Sequence, residues 1–160
     1  MIVCDSSPLI ALASIDKLFL LDSLFSNWHI PPAVYTECCI KDKPYAESLQ
    51  LVLASHIKPP SDIKLIEALS FQIGKGESEA IVLAEEMGIN LVLIDDLKGR
   101  RYVKLKNLEP IGTVGILLAA KKHGLITEIK KELSNLKQYG IHVSDTLIKK
   151  ALDLSGENQS

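Results

Sequence analysis

Aromatic residues are scarce in this 160-residue chain, at 5% of the composition, which argues against a platform that stacks nucleotide bases. An excess of positive charge is also missing, because 18 Lys and Arg face 20 Asp and Glu. The formal net charge of −2 excludes the basic character of a nucleic-acid coat protein but permits a local basic patch. No apolar run approaches the ~20 residues that cross a bilayer, and the N-terminus MIVCDSSPLIALA lacks the basic lead-in of a signal peptide. We therefore expect a cytoplasmic protein.

Cysteine is rare as well, with three residues at positions 4, 38 and 39 and no CxxC pair. Adjacent cysteines rarely bridge each other, so the sequence supports neither a structural zinc site nor a disulfide framework. We expect small buried side chains in a reducing compartment. Apolar residues at 47% and charged residues at 24% are typical of a globular protein. We predict one domain over residues 1–155 and a frayed polar tail at 156–160.

Short apolar runs alternate with helical patterns, and this alternation predicts an α/β domain with a parallel sheet. The predicted strands are 1–4, 28–30, 91–94 and an edge strand at 108–111. In the first predicted helix, Ser7 is the N-cap and Pro8 the first residue. The further predicted helices are 17–25, 31–39, 45–55, 63–69, 76–87, 97–106, 113–123, 127–136 and 144–154.

Three acidic residues belong to one edge of this predicted sheet. Asp5 comes directly after the first strand, and Asp95 comes directly after the strand at 91–94. Glu77 starts the helix that leads into that strand. A helix of about 12 residues travels back about 18 Å, so the following strand returns toward Glu77. Because parallel strands end on the same edge, where such folds place their sites, we expect the three carboxylates to converge.

Glu37 is a fourth candidate, because its helix also begins at that edge. Both Glu37 and Glu77 border the apolar side of a predicted helix, where an unpaired charge is costly. Carboxylates that meet in this way repel one another unless a cation lies between them. An oxygen-rich, sulfur-poor ligand set suits Mg²⁺ or Mn²⁺ better than zinc.

Each acid taken singly also has a structural explanation. Asp5, Asp95 and Asp96 are suited to be N-cap or turn residues, since each stands at a predicted strand–helix junction. Glu77 is suited to complement a helix dipole. The convergence of several acids on one edge is what favours the metal site over these explanations.

Four segments resemble the successive motifs of a PIN-domain protein: VCDSSPLI, VYTEC, GKGESEAIVLA and LVLIDDLKGRR. The likeness runs from residue 1 to about residue 122, and the branch that it resembles lies close to the VapC-like toxins. It implies a three-layer α/β/α fold with a central parallel sheet of four or five strands and flanking helices. It also implies a metal-dependent ribonuclease whose acids cluster at the carboxyl edge of the sheet.

The resemblance assigns roles to individual residues. Asp5 matches the invariant acid after the first strand, and Ser6 matches the small hydroxyl residue beside it. Glu37 matches the glutamate on the helix after the second strand. Glu77 matches the acid that opens a later helix, and Asp95 matches the acid that ends the strand after it. The implied catalytic acids are Asp5, Glu37, Glu77 and Asp95.

Two positions depart from the family pattern. Glu77 stands where toxins of this group usually have Asp, and Ile94 stands where a polar residue is common. Glu79 and Asp96 are close enough in sequence to replace Glu77 or Asp95, so the assignment of these two acids stays open by one or two positions. The candidate metal ligands are therefore Asp5, Glu77, Asp95 and Asp96, with Glu79 also a candidate for orienting a ligand.

The implied chemistry is phosphodiester hydrolysis. One or two Mg²⁺ or Mn²⁺ ions held by these acids would polarise the phosphodiester, lower the pKa of a bound water and stabilise the developing oxyanion. Asp5 is the central ligand in this scheme, and Glu37 binds through water or orients the nucleophile. Ser6 either hydrogen-bonds a ligating carboxylate or caps its helix.

Basic residues next to the acids are the candidate substrate contacts: Lys75, Lys98, Arg100 and Arg101. The two arginines can pair phosphates bidentately, and Lys75 lies beside Glu77. The alternative interpretation of the basic helix at 97–106 is a solvated face.

Two functions from different classes follow. The first is an endoribonuclease, which the VapC-like branch would make the toxin of a toxin–antitoxin pair, acting as a homodimer with RNA as substrate and a small antitoxin protein as partner. The second is a non-catalytic PIN-like module that binds RNA or protein. The last predicted helix presents Leu147, Ile148, Ala151 and Leu152 either to a second copy or to the core. A phosphatase-like hydrolase is disfavoured, because Asp5-Ser6-Ser7 stands where such enzymes need a DxD motif.

Overall fold

Parallel strands form the centre of the molecule. The structure, a computed structural model, describes residues 1–40 and 45–157. The strands of the described residues are β1 (Ile2–Cys4), β2 (Trp28–His29), β3 (Leu91–Leu93) and β4 (Glu109–Ile111). They lie in the order β2-β1-β3-β4, and every neighbouring pair is parallel. The predicted α/β fold with a parallel sheet of four or five strands is therefore confirmed, and the described residues contain four.

Helices connect these strands and complete the domain. In the described residues they are α1 (Ser6–Ser14), α2 (Leu20–Leu24), α3 (Pro32–Cys38), α4 (Ala46–Leu53), α5 (Ile63–Ser70), α6 (Lys75–Met87), α7 (Leu97–Leu105), α8 (Thr113–Lys122), α9 (Ile129–Gln138) and α10 (Asp145–Ser155). A 3₁₀ turn at Ala54–His56 follows α4. Not one helix in the described ranges has the length and apolar character that a membrane span requires.

The sheet is buried on both faces because its central strands are apolar throughout. Ile2 and Cys4 point into one core cluster and Val3 points into the other, since side chains alternate along a strand. The first cluster includes residues of α1, α8 and α9, and the second includes residues of α5, α6 and α7. Helices thus cover both faces, as continuous apolar strands require.

The ends of two helices bear on the site. The chain turns directly from β1 into α1, so α1 begins at Ser6 with Asp5 as N-cap, and the prediction that Ser7 is the cap is wrong. Helix α6 ends at Met87 and is capped by Gly88, whose φ of +66° is the left-handed conformation that glycine adopts without strain. This termination directs the chain back into β3.

The C-terminal helices are joined by contacts of Glu157, a residue that the sequence predicted to lie in a frayed tail. The carboxylate of Glu157 accepts hydrogen bonds from the Lys121 ammonium at 2.7 Å and from the Ile129 and Lys130 amides at 2.7 and 3.0 Å. Glu157 is therefore held by α8 and α9, whereas residues 158–160 of that tail lie outside the described residues. On α10, Ala151 is buried, whereas Leu147 is 41% exposed.

Candidate functional site

Asp5 lies at the centre of the carboxyl edge of the sheet. Its backbone amide donates to the Leu93 carbonyl at 2.8 Å, which holds it beside the end of β3. Its side chain is only 2% exposed, and although it occupies the N-cap position of α1, it makes no capping hydrogen bond. Among the described residues, no hydrogen-bond partner reaches its Oδ1 atom. A buried carboxylate oxygen without a partner is costly, so capping does not explain Asp5.

The electrostatics of Asp5 identify its neighbours. Burial, and after it the negative charge of Glu77, raise its pKa to about 7, against the opposing hydrogen bond of the Ser6 amide. Glu37 and Asp95 also raise this pKa. Because the interaction between two charges weakens as the distance between them grows, these contributions group the acids into one electrostatic cluster around Asp5.

Glu77 belongs to the same cluster. It is half-buried in the first turn of α6, and its pKa is raised by burial and by the charges of Asp96 and Glu37, against hydrogen bonds from its own amide and from Gly74. The start of α7 packs closely against it, because a Cβ on Gly99 would lie 3.4 Å from Glu77 Cγ and 2.5 Å from Ile94 Cδ1. A side chain at position 99 would therefore collide with Ile94, directly beside Glu77.

Glu37 is positioned by two close contacts. The Ser6 hydroxyl donates to Glu37 Oε2 at 2.5 Å, so the side chain of Ser6 orients the glutamate. A Cβ on Gly76 would lie 2.6 Å from Glu37 Oε1. Glycine at position 76 thus allows α6 to approach the carboxylate on α3, which brings Glu37 toward Glu77.

Glu79 has a different environment from Glu77. It is 9% exposed, and its Oε2 atom accepts a hydrogen bond at 3.0 Å from the Ala33 amide in the first turn of α3. It thereby satisfies a helix N-terminus, whose first amides lack partners within the helix. This contact favours Glu77 as the acid that faces Asp5, and it gives Glu79 a structural task between α6 and α3.

Asp95 and Asp96 are also held by different groups. Asp95 accepts two hydrogen bonds from Thr113, at 2.7 Å from the amide to Oδ1 and at 2.5 Å from the hydroxyl to Oδ2. Asp96 caps α7, since its Oδ2 accepts from the Gly99 amide at 2.7 Å. Sequence reasoning missed Thr113. The available signal was a hydroxyl residue that opens a helix directly after a strand of the same sheet.

The predicted basic residues differ in how close they lie to the acids. Arg100 is half-buried, and its Nη1 atom donates to the Ile94 carbonyl at 3.0 Å, one residue before Asp95. A Cβ on Gly112 would lie 2.7 Å from Asp95 Oδ1 and 3.1 Å from Arg100 Nη1, so both groups border one small space. The other three side chains are exposed: Lys75, Lys98 and Arg101.

The residues at this edge fit a hard divalent cation held by few protein ligands. In the described ranges, no three His, Cys, Asp or Glu side chains stand together as a ready metal cage. Mg²⁺ does not need one, because it keeps several waters and takes one or two carboxylates. The unpartnered Oδ1 of Asp5 and the purely oxygen donor set supply what such an ion requires.

One comparison with known proteins identifies a relationship. A family model described as a PIN domain matches residues 1–157. This range includes all the acids described above and extends to Glu157, the last described residue. Neither the curated proteins nor the solved structures include a match to the chain.

Proposed function

The chain belongs to the PIN domain family, and from this premise we propose that it is a metal-dependent endoribonuclease. PIN domains are generally nucleases. The observation that carries the proposal is the buried Asp5, whose unpartnered oxygen and raised pKa leave it in need of a cation. A divalent cation held by carboxylates is suited to phosphodiester hydrolysis.

Asp5, Glu77 and Asp95 are the proposed holders of Mg²⁺ or Mn²⁺, and Asp96 supports them from its capping position. Such an ion supplies positive charge that polarises the phosphodiester and activates water. Asp5 contributes from the buried end of the site, and Thr113 keeps both oxygens of Asp95 in place. The mutual repulsion of these acids makes the site selective for positive charge.

Glu37 is the proposed group for orienting the attacking water. Its Oε2 atom is held by Ser6, which leaves Oε1 to accept a hydrogen bond from the nucleophile. Ser6 is therefore a positioning residue, since it acts through Glu37. Glu79 contributes indirectly as well, because it holds the start of the helix that carries Glu37.

The basic residues are proposed to bind the phosphates of RNA. Arg100 stands nearest to the acids, and its contact with the Ile94 carbonyl leaves its other guanidinium nitrogens for a phosphate. Lys75, Lys98 and Arg101 are exposed near the starts of α6 and α7 and extend the positive charge to neighbouring phosphates. Removing these charges one at a time would weaken RNA binding and reduce its dependence on salt.

The biological setting is proposed from the motifs that resemble VapC-like proteins. We place the enzyme in the cytoplasm, as a homodimer and as the toxin of a pair whose small antitoxin covers the acidic edge. The three cysteines, free in the structure, are compatible with a reducing compartment. Light scattering of the purified protein and growth arrest on expression of the wild type, compared with Asp5→Asn, test these assignments.

Cleavage of single-stranded RNA in Mn²⁺ tests the proposed activity directly. We expect the wild type to cleave, EDTA to abolish cleavage, and Asp5→Asn to lower the rate by at least a hundredfold. Asp16→Asn is the matched control, because Asp16 is exposed and its left-handed φ of 56° is well tolerated by asparagine. If wild type and Asp5→Asn bind RNA alike and neither cleaves it, the protein is a non-catalytic binding module.

A further inference from the structure

A cavity of about 520 Å³ opens beside Asp95 at the free edge of the sheet. It is bounded by β4, α7, α8 and α10. Its volume lies within the range of about 300–1,000 Å³ that is usual for small-ligand sites. Asp95 and Arg100 belong to its wall, so a molecule in the cavity touches the proposed active site.

The walls of this cavity combine apolar area with groups suited to a nucleotide. Ile111, Val114 and Leu118 supply apolar area on which a flat base can pack. Arg100 and Lys150 supply positive charge for phosphate, and Asp95 is the one carboxylate among the lining residues. A second cavity, of about 570 Å³ and beside Lys75, is less suited, because Glu67 and Glu79 both line it and repel phosphate.

The edge strand adds backbone groups that can recognise a base. The Glu109 amide donates to the Asn90 carbonyl at 2.7 Å, and the Ile111 carbonyl accepts from the Ile94 amide at 2.8 Å. These two residues therefore face β3, and the alternation of a strand turns the Pro110 carbonyl and the Gly112 amide toward the open side. No hydrogen bond within the described residues occupies either group.

The same strand is poorly suited to pair with a peptide. Proline at position 110 lacks an amide hydrogen, and β4 is only three residues long. A partner strand would find few hydrogen bonds there. A base needs only one donor and one acceptor, and both residues that supply them line the cavity.

We propose that this cavity binds the base of the nucleotide next to the cleaved phosphate and thereby sets the sequence preference of the enzyme. The inference rests on the proposed nuclease function, because the phosphate at Asp95 and Arg100 brings the attached nucleoside to the cavity. Apolar packing selects the size of the base, and the backbone pair at positions 110 and 112 selects its hydrogen-bonding edge.

Two exposed leucines of the cavity wall allow a test that spares the core. Leu154 is 65% exposed and Leu147 is 41% exposed, so Leu154→Trp and Leu147→Trp fill the cavity without disturbing folding. The matched control is Leu105→Trp on α7, since Leu105 is 73% exposed and is not part of the cavity. Calorimetry with the four nucleoside 5′-monophosphates in saturating Mn²⁺ measures binding, and cleavage of an RNA library measures sequence preference.

We expect one nucleotide to bind at least tenfold more tightly than the others. Both cavity variants should lose this selectivity and flatten the cleavage preference, while their affinity for Mn²⁺ and that of the control stay unchanged.

Equal binding of all four nucleotides, or an unaltered preference in both variants, overturns the inference even if RNA is cleaved. A shift from dimer to monomer in the cavity variants, with nucleotide binding unchanged, also overturns it and identifies a protein interface. Selective binding without any cleavage by the wild type overturns the nuclease proposal instead and supports the base site.

Discussion

Thr113 donates from both its amide and its hydroxyl to the carboxylate of Asp95, at 2.7 Å to Oδ1 and 2.5 Å to Oδ2. The two residues lie 18 positions apart, and the contact joins the end of β3 to the start of α8. Both oxygens of Asp95 are thereby held in one orientation. A carboxylate that is held in this way loses little conformational freedom when it binds a cation.

Replacing Thr113 with valine should weaken the site while leaving the fold intact. Thr113→Val keeps the shape and the amide hydrogen bond but removes the hydroxyl donor to Asp95. We expect the affinity for Mn²⁺ and the rate of RNA cleavage to fall about 10- to 100-fold, as is typical when a group that orients a metal ligand is lost. Titration calorimetry measures the affinity. Thr127→Val, at an exposed loop position, is the control, and equal losses in both variants would contradict the role of Thr113.

Asp5 should make the metal-free protein less stable as the pH rises. Its pKa is about 7 in the folded protein against 3.8 ordinarily. Between these two pH values the folded state therefore holds a proton that the unfolded state has lost. The free energy of unfolding therefore falls between about pH 4 and pH 7 and levels off above. Asp5→Asn removes the charge, and we expect it to raise the melting temperature by several degrees at pH 8 and to have little effect at pH 4.

The same raised pKa predicts the pH dependence of metal binding. Mn²⁺ binds the ionised form of Asp5, so its apparent affinity should rise up to tenfold per pH unit below pH 7 and level off above pH 8. Calorimetry of the wild type across this range measures the trend. An affinity that is constant from pH 5 to pH 8 would show that Asp5 is not a ligand.

Substitutions of Glu77 and Glu79 should have different effects, the first on metal binding and the second on stability. Glu77→Gln removes a charge near Asp5, and we expect a loss of Mn²⁺ affinity together with unchanged or higher thermal stability. Glu79→Gln weakens the hydrogen bond to the Ala33 amide, so we expect lower stability, by about 0.5–2 kcal/mol, and near-normal Mn²⁺ affinity. Parallel thermal melts and titrations check this pair. The reversed pattern would make Glu79 the ligand.

The sequence predicted the strands and the sheet edge that Asp5 and Asp95 share, because both depend on simple rules. Apolar runs mark buried parallel strands, and parallel strands end on one edge, which places Asp5 and Asp95 there. It did not distinguish Glu77 from Glu79, since residues two apart on a helix differ by about 200° and only packing sets the rotation of α6. The contact of Thr113 with Asp95 depends on how α8 meets β3, which no local pattern encodes.

The need for two glycines at the site could not be predicted from the sequence either. Gly76 and Gly99 lie within predicted helical segments, yet each stands where a Cβ would press on a neighbour. At position 76 the neighbour is the carboxylate of Glu37, and at position 99 it is the side chain of Ile94. Close approach between helices is a property of the assembled fold, so the need for glycine is visible only there.

Glu157 should stabilise the C-terminal helices through its charge. Partial burial alone would raise its pKa, but the hydrogen bonds from Lys121 and from the amides of Lys130 and Ile129 outweigh this and lower the pKa to about 2. A lowered carboxylate pKa contributes stability above the ordinary value of about 4.5, and this contribution is lost as the pH falls toward 2. Glu157→Gln should therefore destabilise the protein at pH 7 by about 1.5–3 kcal/mol, the usual contribution of hydrogen bonds to a charged group.

Thermal melts of wild type and Glu157→Gln between pH 2 and pH 7 measure this difference. We expect the two curves to converge as the pH falls from about 4.5 toward 2, because Glu157 becomes protonated over this range and loses its charge. Glu128→Gln is the matched control, since Glu128 is exposed and precedes α9 without a side-chain capping hydrogen bond. Equal melting temperatures for wild type and Glu157→Gln at pH 7 would show that the end of the chain does not hold α8 and α9 together.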